Sequence, residues 1–271
     1  PERVDPGNKM YQIHNTPKVV GGVSAACLEL AQLLYGKIVQ TIFPVSSVEV
    51  AEMTKLLENT YRAVNIGLVN EMALMCDRLG INIWEVIEAA KTKPFGFMPF
   101  YPGPGIGGHC IPLDPHYLAW KVRSFNLEPR FIELADAINS RMPEFVISKV
   151  AHLLNVNLSK ALSASRVFVM GIAYKRDTND CRESPATYII EKLVCENKAT
   201  VFYHDPYCPR ANFSFGELES VALESLPKAD ICLILTDHST VDYKTIAKNY
   251  KLILDTRNVF RGLKQPQLFY L

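Results

Sequence analysis

The chain has almost no surplus charge: 29 basic residues stand against 28 acidic ones among 271, a formal net charge of +1. Bulk charge therefore gives no reason to expect nucleic acid or an acidic membrane surface as partner. No apolar run reaches the roughly 20 residues that a membrane-spanning helix needs. The seven cysteines are odd in number and form no CxxC pair, so neither a disulfide framework nor a structural zinc site is expected. Free thiols in a reducing cytoplasm are the simpler reading. The six histidines, at 14, 109, 116, 152, 204 and 238, form no HxH or HExxH pair, and no metal is expected. There is no internal repeat, no low-complexity tract and no signal-peptide pattern. The opening Pro1-Glu2-Arg3-Val4-Asp5-Pro6-Gly7-Asn8 reads as the middle of a loop, which suggests a fragment.

What is present is ordinary globular composition, 48% hydrophobic and 21% charged, with a length that suggests about two domains. Residues 1–21 read as loop with a short strand end at Val19-Val20. Ser24 is placed to cap a helix running to Gly36, and Thr41–Val45 reads as a strand. From Ser47 to Gly80 apolar residues recur at helical spacing. Val48, Ala51, Leu56, Tyr61, Val64, Leu68, Met72 and Met75 mark its expected buried side, and Gly67 is its one interior break. So long a helix suits a span between domains or a dimer interface. Further helices are expected over 81–91 (capped by Asn82), 114–123 and 129–154, with a Pro/Gly-rich loop at 92–113.

The small-residue stretch 156–165 is where we expect the domain boundary. Beyond it, apolar strands at 166–171, 200–204, 230–236 and 252–255 alternate with helical segments, one of them at 184–197 with Pro185 in its first turn. That alternation predicts a parallel α/β sheet. Ligands of such sheets bind beyond the carboxyl ends of the strands. Here those ends carry Gly171–Arg182, Asp205-Pro206, Thr236-Asp237-His238 and Asp255-Thr256-Arg257.

Two constellations carry chemistry. In Gly103-Pro-Gly-Ile-Gly-Gly-His-Cys110-Ile-Pro-Leu-Asp114-Pro115, four glycines lead to a cysteine where a helix begins. Dense glycine lets backbone approach a ligand, and a helix start favours a thiolate. Lys55 and Asn59, four apart on the long helix, share a face from which they would stabilise a thiolate and an oxyanion if that face meets the loop. Asp114 would handle a proton or water. The bland alternatives stay open: a buried reduced cysteine, a surface lysine and an N-cap aspartate. The second constellation, Gly171–Ser184, sits between a strand and a helix with Lys175, Arg176 and Arg182 but a single glycine. That excludes a GxGxxG dinucleotide fingerprint at this turn and suits a diphosphate instead, unless the loop is simply solvated. The aromatics Phe95, Phe97, Phe100 and Tyr101 would flank a base or sugar, or seal a core. His109, beside Cys110, is read as loop packing.

In content and order these segments resemble the UDP-glucose/GDP-mannose dehydrogenase family. The resemblance rests on Pro1–Val4, Lys55-Leu-Leu-Glu-Asn59, Gly103–Pro115 and Gly171–Ser184. The wording Gly-Gly-His-Cys-Ile-Pro-Leu-Asp-Pro, followed by Tyr117-Leu118, is most similar to the branch that oxidises UDP-N-acetylhexosamines. The resemblance implies an NAD-dependent, four-electron oxidation at C6 of the sugar through a cysteine thiohemiacetal and thioester. It implies Cys110 as nucleophile, Lys55 and Asn59 around the water and oxyanion, Asp114 in the water network, and Glu2 in hydrolysis. Phe100, Tyr101, Gly105, Gly107, Tyr174, Lys175 and Arg257 would contact the UDP-sugar, and Arg182 would reach NAD. UDP-glucose enzymes commonly have serine at the position of His109 and lysine at that of Leu113, so plain UDP-glucose is not expected.

The implied fold is α/β. It has a tail of an NAD-binding domain over 1–46, a central helical, dimer-forming region carrying the cysteine over 47–158, and a Rossmann-like UDP-sugar domain over 159–271. No GxGxxG stands before the tail, so the fragment alone is expected to bind UDP-sugar but not to turn over. A cytoplasmic homodimer serving surface-polysaccharide synthesis completes the expectation. The rival reading is a catalytically silent nucleotide-sugar-binding module.

Overall fold

The computed structural model describes residues 1–5, 8–263 and 265–271. Pro6 and Gly7, within the stretch read as loop, and Lys264 lie outside the described residues. The chain forms two compact units. Pro1–Arg62 with Leu113–Glu128 make the first, and Ala63–Pro112 with Pro129–Leu271 the second.

In the first unit, strand β1 (Lys18–Val20) pairs in parallel with β2 (Ile42–Pro44), and helix α1 (Ala25–Tyr35) connects them. Ser24 caps α1 as its sequence suggests, its side chain accepting from the Cys27 N–H at 3.2 Å. The long helix α2 (Val48–Leu79) contributes its residues up to Arg62 to this unit and the remainder to the second. Its buried side is only partly the expected one, with Ala51 buried as read from the sequence. Tyr61, Leu68, Met72 and Met75 are exposed, while Ala51, Asn59, Ala63, Gly67, Asn70, Ala73 and Cys76 are buried. The reason is close packing. A Cβ on Gly67 would stand 3.2 Å from the Ala135 Cα, so small side chains face inward where helices nearly touch.

The second unit continues with α3 (Ile83–Ala90), capped by the Asn82 side chain at the Trp84 N–H. Helix α4 (Asp114–Arg123) belongs to the first unit and opens with Asp114 and Pro115. The single helix expected over 129–154 is two, α5 (Arg130–Asn139) and α6 (Met142–Leu158). Pro143 explains the break: it has no N–H to give a preceding turn and is tolerated only in a first turn.

Beyond α6 the strands fall close to their expected places: β3 (Arg166–Met170), β4 (Thr200–His204), β7 (Ile231–Ile234) and β8 (Ile253–Asp255). Helix α7 (Pro185–Glu191) runs into a π-helical turn at Lys192–Glu196. The hairpin β5 (Arg210–Phe213) and β6 (Gly216–Glu219), helix α8 (Tyr243–Asn249) and strand β9 (Leu268–Tyr270) lie outside those expectations. The main sheet is parallel throughout, in the order β4-β3-β7-β8-β9.

Both faces of this sheet are covered, so its strands are apolar without alternation. Val167, Val169, Ile231 and Leu233 join α6 and α7 in one core. Phe168, Met170, Cys232 and Ile234 join α8 in the other. After β3 the chain passes to β4 on one side and later to β7 on the other. The loops after β3 and β7 therefore part company, and in open α/β sheets ligands bind at that switch. Leu233→Ala, in the fully buried centre of β7, is expected to cost about 2–5 kcal/mol. Urea unfolding should show it as a lower midpoint with unchanged slope.

Candidate functional site

The carboxyl edge of the sheet is organised by one buried carboxylate. Asp205, just after β4, accepts the Ile172 and Ala173 N–H groups on Oδ2 at 2.7 and 3.0 Å. Its Oδ1 accepts Tyr207 and Cys208 at 2.8 and 3.0 Å. His238, after β7, lies with Nε2 3.0 Å from Oδ2. Its Nδ1 accepts the Asp177 N–H at 3.0 Å, which puts the ring proton on Nε2, facing the carboxylate. Asp177 in turn accepts the Ser239 N–H at 2.7 Å. The loops after β3, β4 and β7 are thus tied to one group. Burial opposes the Asp205 charge, but His238 and the Ile172 and Ala173 N–H groups prevail and hold its pKa below the usual carboxylate value.

On this frame the turn Gly171–Ser184 takes a strained path, with positive φ at Asp177 (56°) and Glu183 (53°). Tyr174 and Lys175 are partly buried in it. The Gly-rich loop packs directly against the same turn. A Cβ on Gly107 would fall 2.8 Å from the Glu183 carbonyl and 2.9 Å from Tyr174 Cβ and Pro185 Cδ. Gly105 (φ +138°) would meet Pro185 at 3.1 Å, and Gly108 (φ +90°) would meet the Tyr174 ring at 3.0 Å. The two constellations read from the sequence therefore meet. The loop delivers Cys110 exposed, beside an exposed His109 whose Nε2 is 3.4 Å from Asp180 Oδ2. His109 thus faces a carboxylate instead of packing the loop. Asp180 also holds Arg182, through Nε at 2.9 Å and Nη2 at 2.8 Å. That pair, working against burial, keeps its carboxyl far below the usual range.

A cleft of about 550 Å³ opens at this edge, with Trp84, Tyr101, Arg176, His238, Tyr243 and Arg257 among its lining residues. Tyr101 stacks on Trp84 with ring centroids 6.0 Å apart. Its hydroxyl donates to Glu88 at 2.9 Å, and Arg261 holds the other Glu88 oxygen at 2.6 Å. Arg257 donates through Nε to the Leu235 carbonyl at 2.8 Å. Burial lowers its pKa while Asp237 and Asp255 support the charge. Arg176 bonds Asp237 at 3.3 Å. Phe100 is partly buried just before the cleft's Tyr101 and Pro102, whereas Phe95 and Phe97 are exposed.

The remaining expected residues belong to the first unit. Asn59, buried on α2, donates to Asp114 Oδ2 at 2.5 Å. Lys55 stands one turn earlier, partly buried. Glu2 is exposed and accepts the Arg3 and Val4 N–H groups at 2.7 and 3.1 Å, with Lys18 at 3.4 Å. Slight burial opposes its charge, and these donors outweigh it and lower its pKa. Arg3 anchors the segment through Glu58 at 2.6 Å and the Pro17 carbonyl at 2.9 Å.

Cβ atoms on Gly21, Gly22 and Gly171 would collide with Ser47, Leu28 and Thr236, so these glycines serve close packing. No group of three metal-ligating side chains occurs among the described residues, and no described helix is long and apolar enough to cross a membrane. Sequence reasoning placed Asp205 and His238 at strand ends but missed that they pair. Both stand at recognisable strand ends, but only the strand order shows that they meet.

Residues 49–141 match the UDP-glucose/GDP-mannose dehydrogenase family, central domain, and residues 168–262 match that family's UDP binding domain. A UDP-N-acetyl-D-mannosamine dehydrogenase of Methanococcus vannielii is 34% identical over 270 residues, covering 96% of this chain and 60% of the relative. An NDP-N-acetyl-D-galactosaminuronic acid dehydrogenase of Ralstonia nicotianae is 32% identical over 262 residues, with 96% and 60% covered. The solved UDP-D-ManNAc dehydrogenase of Pyrococcus horikoshii superposes with a TM-score of 0.84 at 34% identity, over 100% of this chain and 62% of that one. The chain thus spans about 60% of the length of the curated relatives it matches. It belongs to the UDP-glucose/GDP-mannose dehydrogenase family.

Asp205→Ala, which strands four backbone donors and His238, is expected to cost about 3–5 kcal/mol in urea unfolding. Because the Asp205 pKa is depressed by folding, its contribution is present above the unfolded value of about 4 and is lost as pH falls through the lower folded value. The wild-type stability curve should drop on that acid limb, and the variant should flatten it.

Proposed function

We propose that this chain does the sugar-holding and carbonyl chemistry of an NAD-dependent UDP-N-acetylhexosamine 6-dehydrogenase. The observation that carries the reading is the seating of the Cys110 loop on the Gly171–Ser184 turn, in the same unit as the cleft lined by Arg176 and Arg257. An exposed thiol and a cationic cleft suit covalent capture of a carbonyl on a diphosphate-bearing substrate. NAD⁺, when bound, would supply the redox chemistry, one molecule taking two electrons as the C6 alcohol becomes the aldehyde and a second taking two as the thiohemiacetal becomes the thioester. Arg182 is the residue of this chain assigned to it.

The Cys110 thiolate adds to the C6 aldehyde carbon, and the resulting thiohemiacetal keeps a reactive aldehyde bound. Once that adduct is oxidised to the thioester, water attacks the acyl carbon and the thiolate leaves. Lys55 supplies positive charge to the oxyanion. The Asn59–Asp114 pair orients the water, with the carboxyl steered by the amide. Glu2, held ionised by its donors, supports hydrolysis. Phe100, Tyr101, Gly105, Gly107, Tyr174, Lys175 and Arg257 hold the UDP-sugar. The named activities of the relatives favour an N-acetylated hexosamine, with UDP-N-acetylmannosamine the expected best substrate among the UDP-linked N-acetylglucosamine, N-acetylmannosamine and N-acetylgalactosamine epimers. The exposed Tyr61, Leu68, Met72 and Met75 face of α2 suits a homodimer, working in the cytoplasm for surface-polysaccharide synthesis.

In the full-length enzyme, Cys110→Ser should lower turnover by at least about 10³-fold while calorimetry shows UDP-sugar binding within about threefold of wild type. Wild-type turnover in that variant sinks the covalent mechanism. UDP-sugar binding with no turnover in the unmodified full-length protein points to a silent binding module. Met72→Glu should convert the dimer to monomer in analytical ultracentrifugation, and an unchanged mass rules out the α2 interface.

A further inference from the structure

A buried amide relay leads to the start of the cysteine loop. The Asn139 side chain on α5 donates through Nδ2 to the Ala63 carbonyl at 3.1 Å and accepts from Asn70 Nδ2 at 2.9 Å. Asn70 Oδ1 then accepts the Gly103 N–H at 3.0 Å. Asn70 is fully buried and Asn139 nearly so. At Gly103 the backbone is crossed by Arg257, whose Nη1 lies 2.7 Å from where a Cβ would stand. Arg257 is itself fixed by the Leu235 carbonyl through Nε and by Asp255, which accepts its backbone N–H at 2.9 Å.

Gly103 is buried, so its N–H must find a partner, and it takes one from a side chain in a helix interior. Two polar amides in a helix core cost free energy unless every partner is in place, and here each makes two bonds. The relay sets the loop's height at the one point where side-chain bulk would push Arg257 aside. We propose that Asn70 is a positioning residue, seating Gly103 so that Arg257 crosses the loop and Cys110 is presented in register with it. This rests on the reading of Cys110 as nucleophile and Arg257 as a UDP-sugar contact. It adds a residue that touches neither substrate nor thiol.

The test uses the full-length enzyme with Asn70→Ala and Asn70→Asp, and with Gly103→Ala as the second variant should Asn70→Ala fail to fold. Steady-state kinetics with UDP-N-acetylmannosamine is combined with mass-spectrometric timing of Cys110 alkylation by iodoacetamide, with and without UDP. Misplacement by about 1 Å is expected to lower kcat of Asn70→Ala roughly 10–100-fold and to abolish UDP protection of Cys110. Asn70→Asp, which keeps the acceptor for Gly103, should recover part of both. Gly103→Ala, which keeps the relay but displaces Arg257, should raise KM and lose protection. A lower Tm with wild-type kcat, KM and protection in Asn70→Ala, or wild-type behaviour in Gly103→Ala, overturns the proposal. Turnover surviving Cys110→Ser overturns the underlying functional reading, and this inference with it.

Discussion

A carboxylate removed from water must be surrounded by donors, and Asp205 finds five. They come from the loops after β3, β4 and β7, so satisfying one charge fixes three loop conformations together. The strained residues Asp177 and Glu183 are held within that frame. The Gly-rich loop is then shaped against the resulting surface, with no room for a Cβ at Gly107 or Gly108. The exposed Cys110 and the cleft around Arg257 both inherit their place from this arrangement.

The second unit therefore divides its work between a covered sheet and a polar carboxyl edge. The sheet, covered on both faces, supplies invariant geometry. Polar groups at its carboxyl edge are mostly committed to one another: Arg176 to Asp237, Arg182 to Asp180, Arg261 to Glu88. Exposed ion pairs of this kind are worth little to stability. Such pairs can be exchanged for a phosphate at small cost, which suits the proposed binding and release of a sugar nucleotide.

Much of this was legible in the sequence. Ser24 and Asn82 cap helices because their oxygens replace missing helical acceptors, a local effect that needs no tertiary knowledge. The four buried strands declare themselves by apolar runs. Errors arose where packing overrides pattern. The long helix turned small residues inward because its neighbour approaches too closely for leucine or methionine. The α5–α6 break hid in a continuous apolar period that Pro143 interrupts. Strand β9 is three residues long, too short for periodicity to register.

By itself the sequence determined the chemistry on offer: a cysteine after dense glycine, cations after a strand, and a motif order that marks the family. These depend on residue type and near-neighbour spacing, which the chain states directly. Only tertiary structure decided which of these groups share a surface. Strand order brought His238 to Asp205, backbone proximity brought Gly107 to Tyr174, and a helix interior supplied Asn70 to Gly103. Each joins residues 33 to 67 positions apart. At that separation, the path of the sheet and the space between helices set the contact, and no local spacing encodes it.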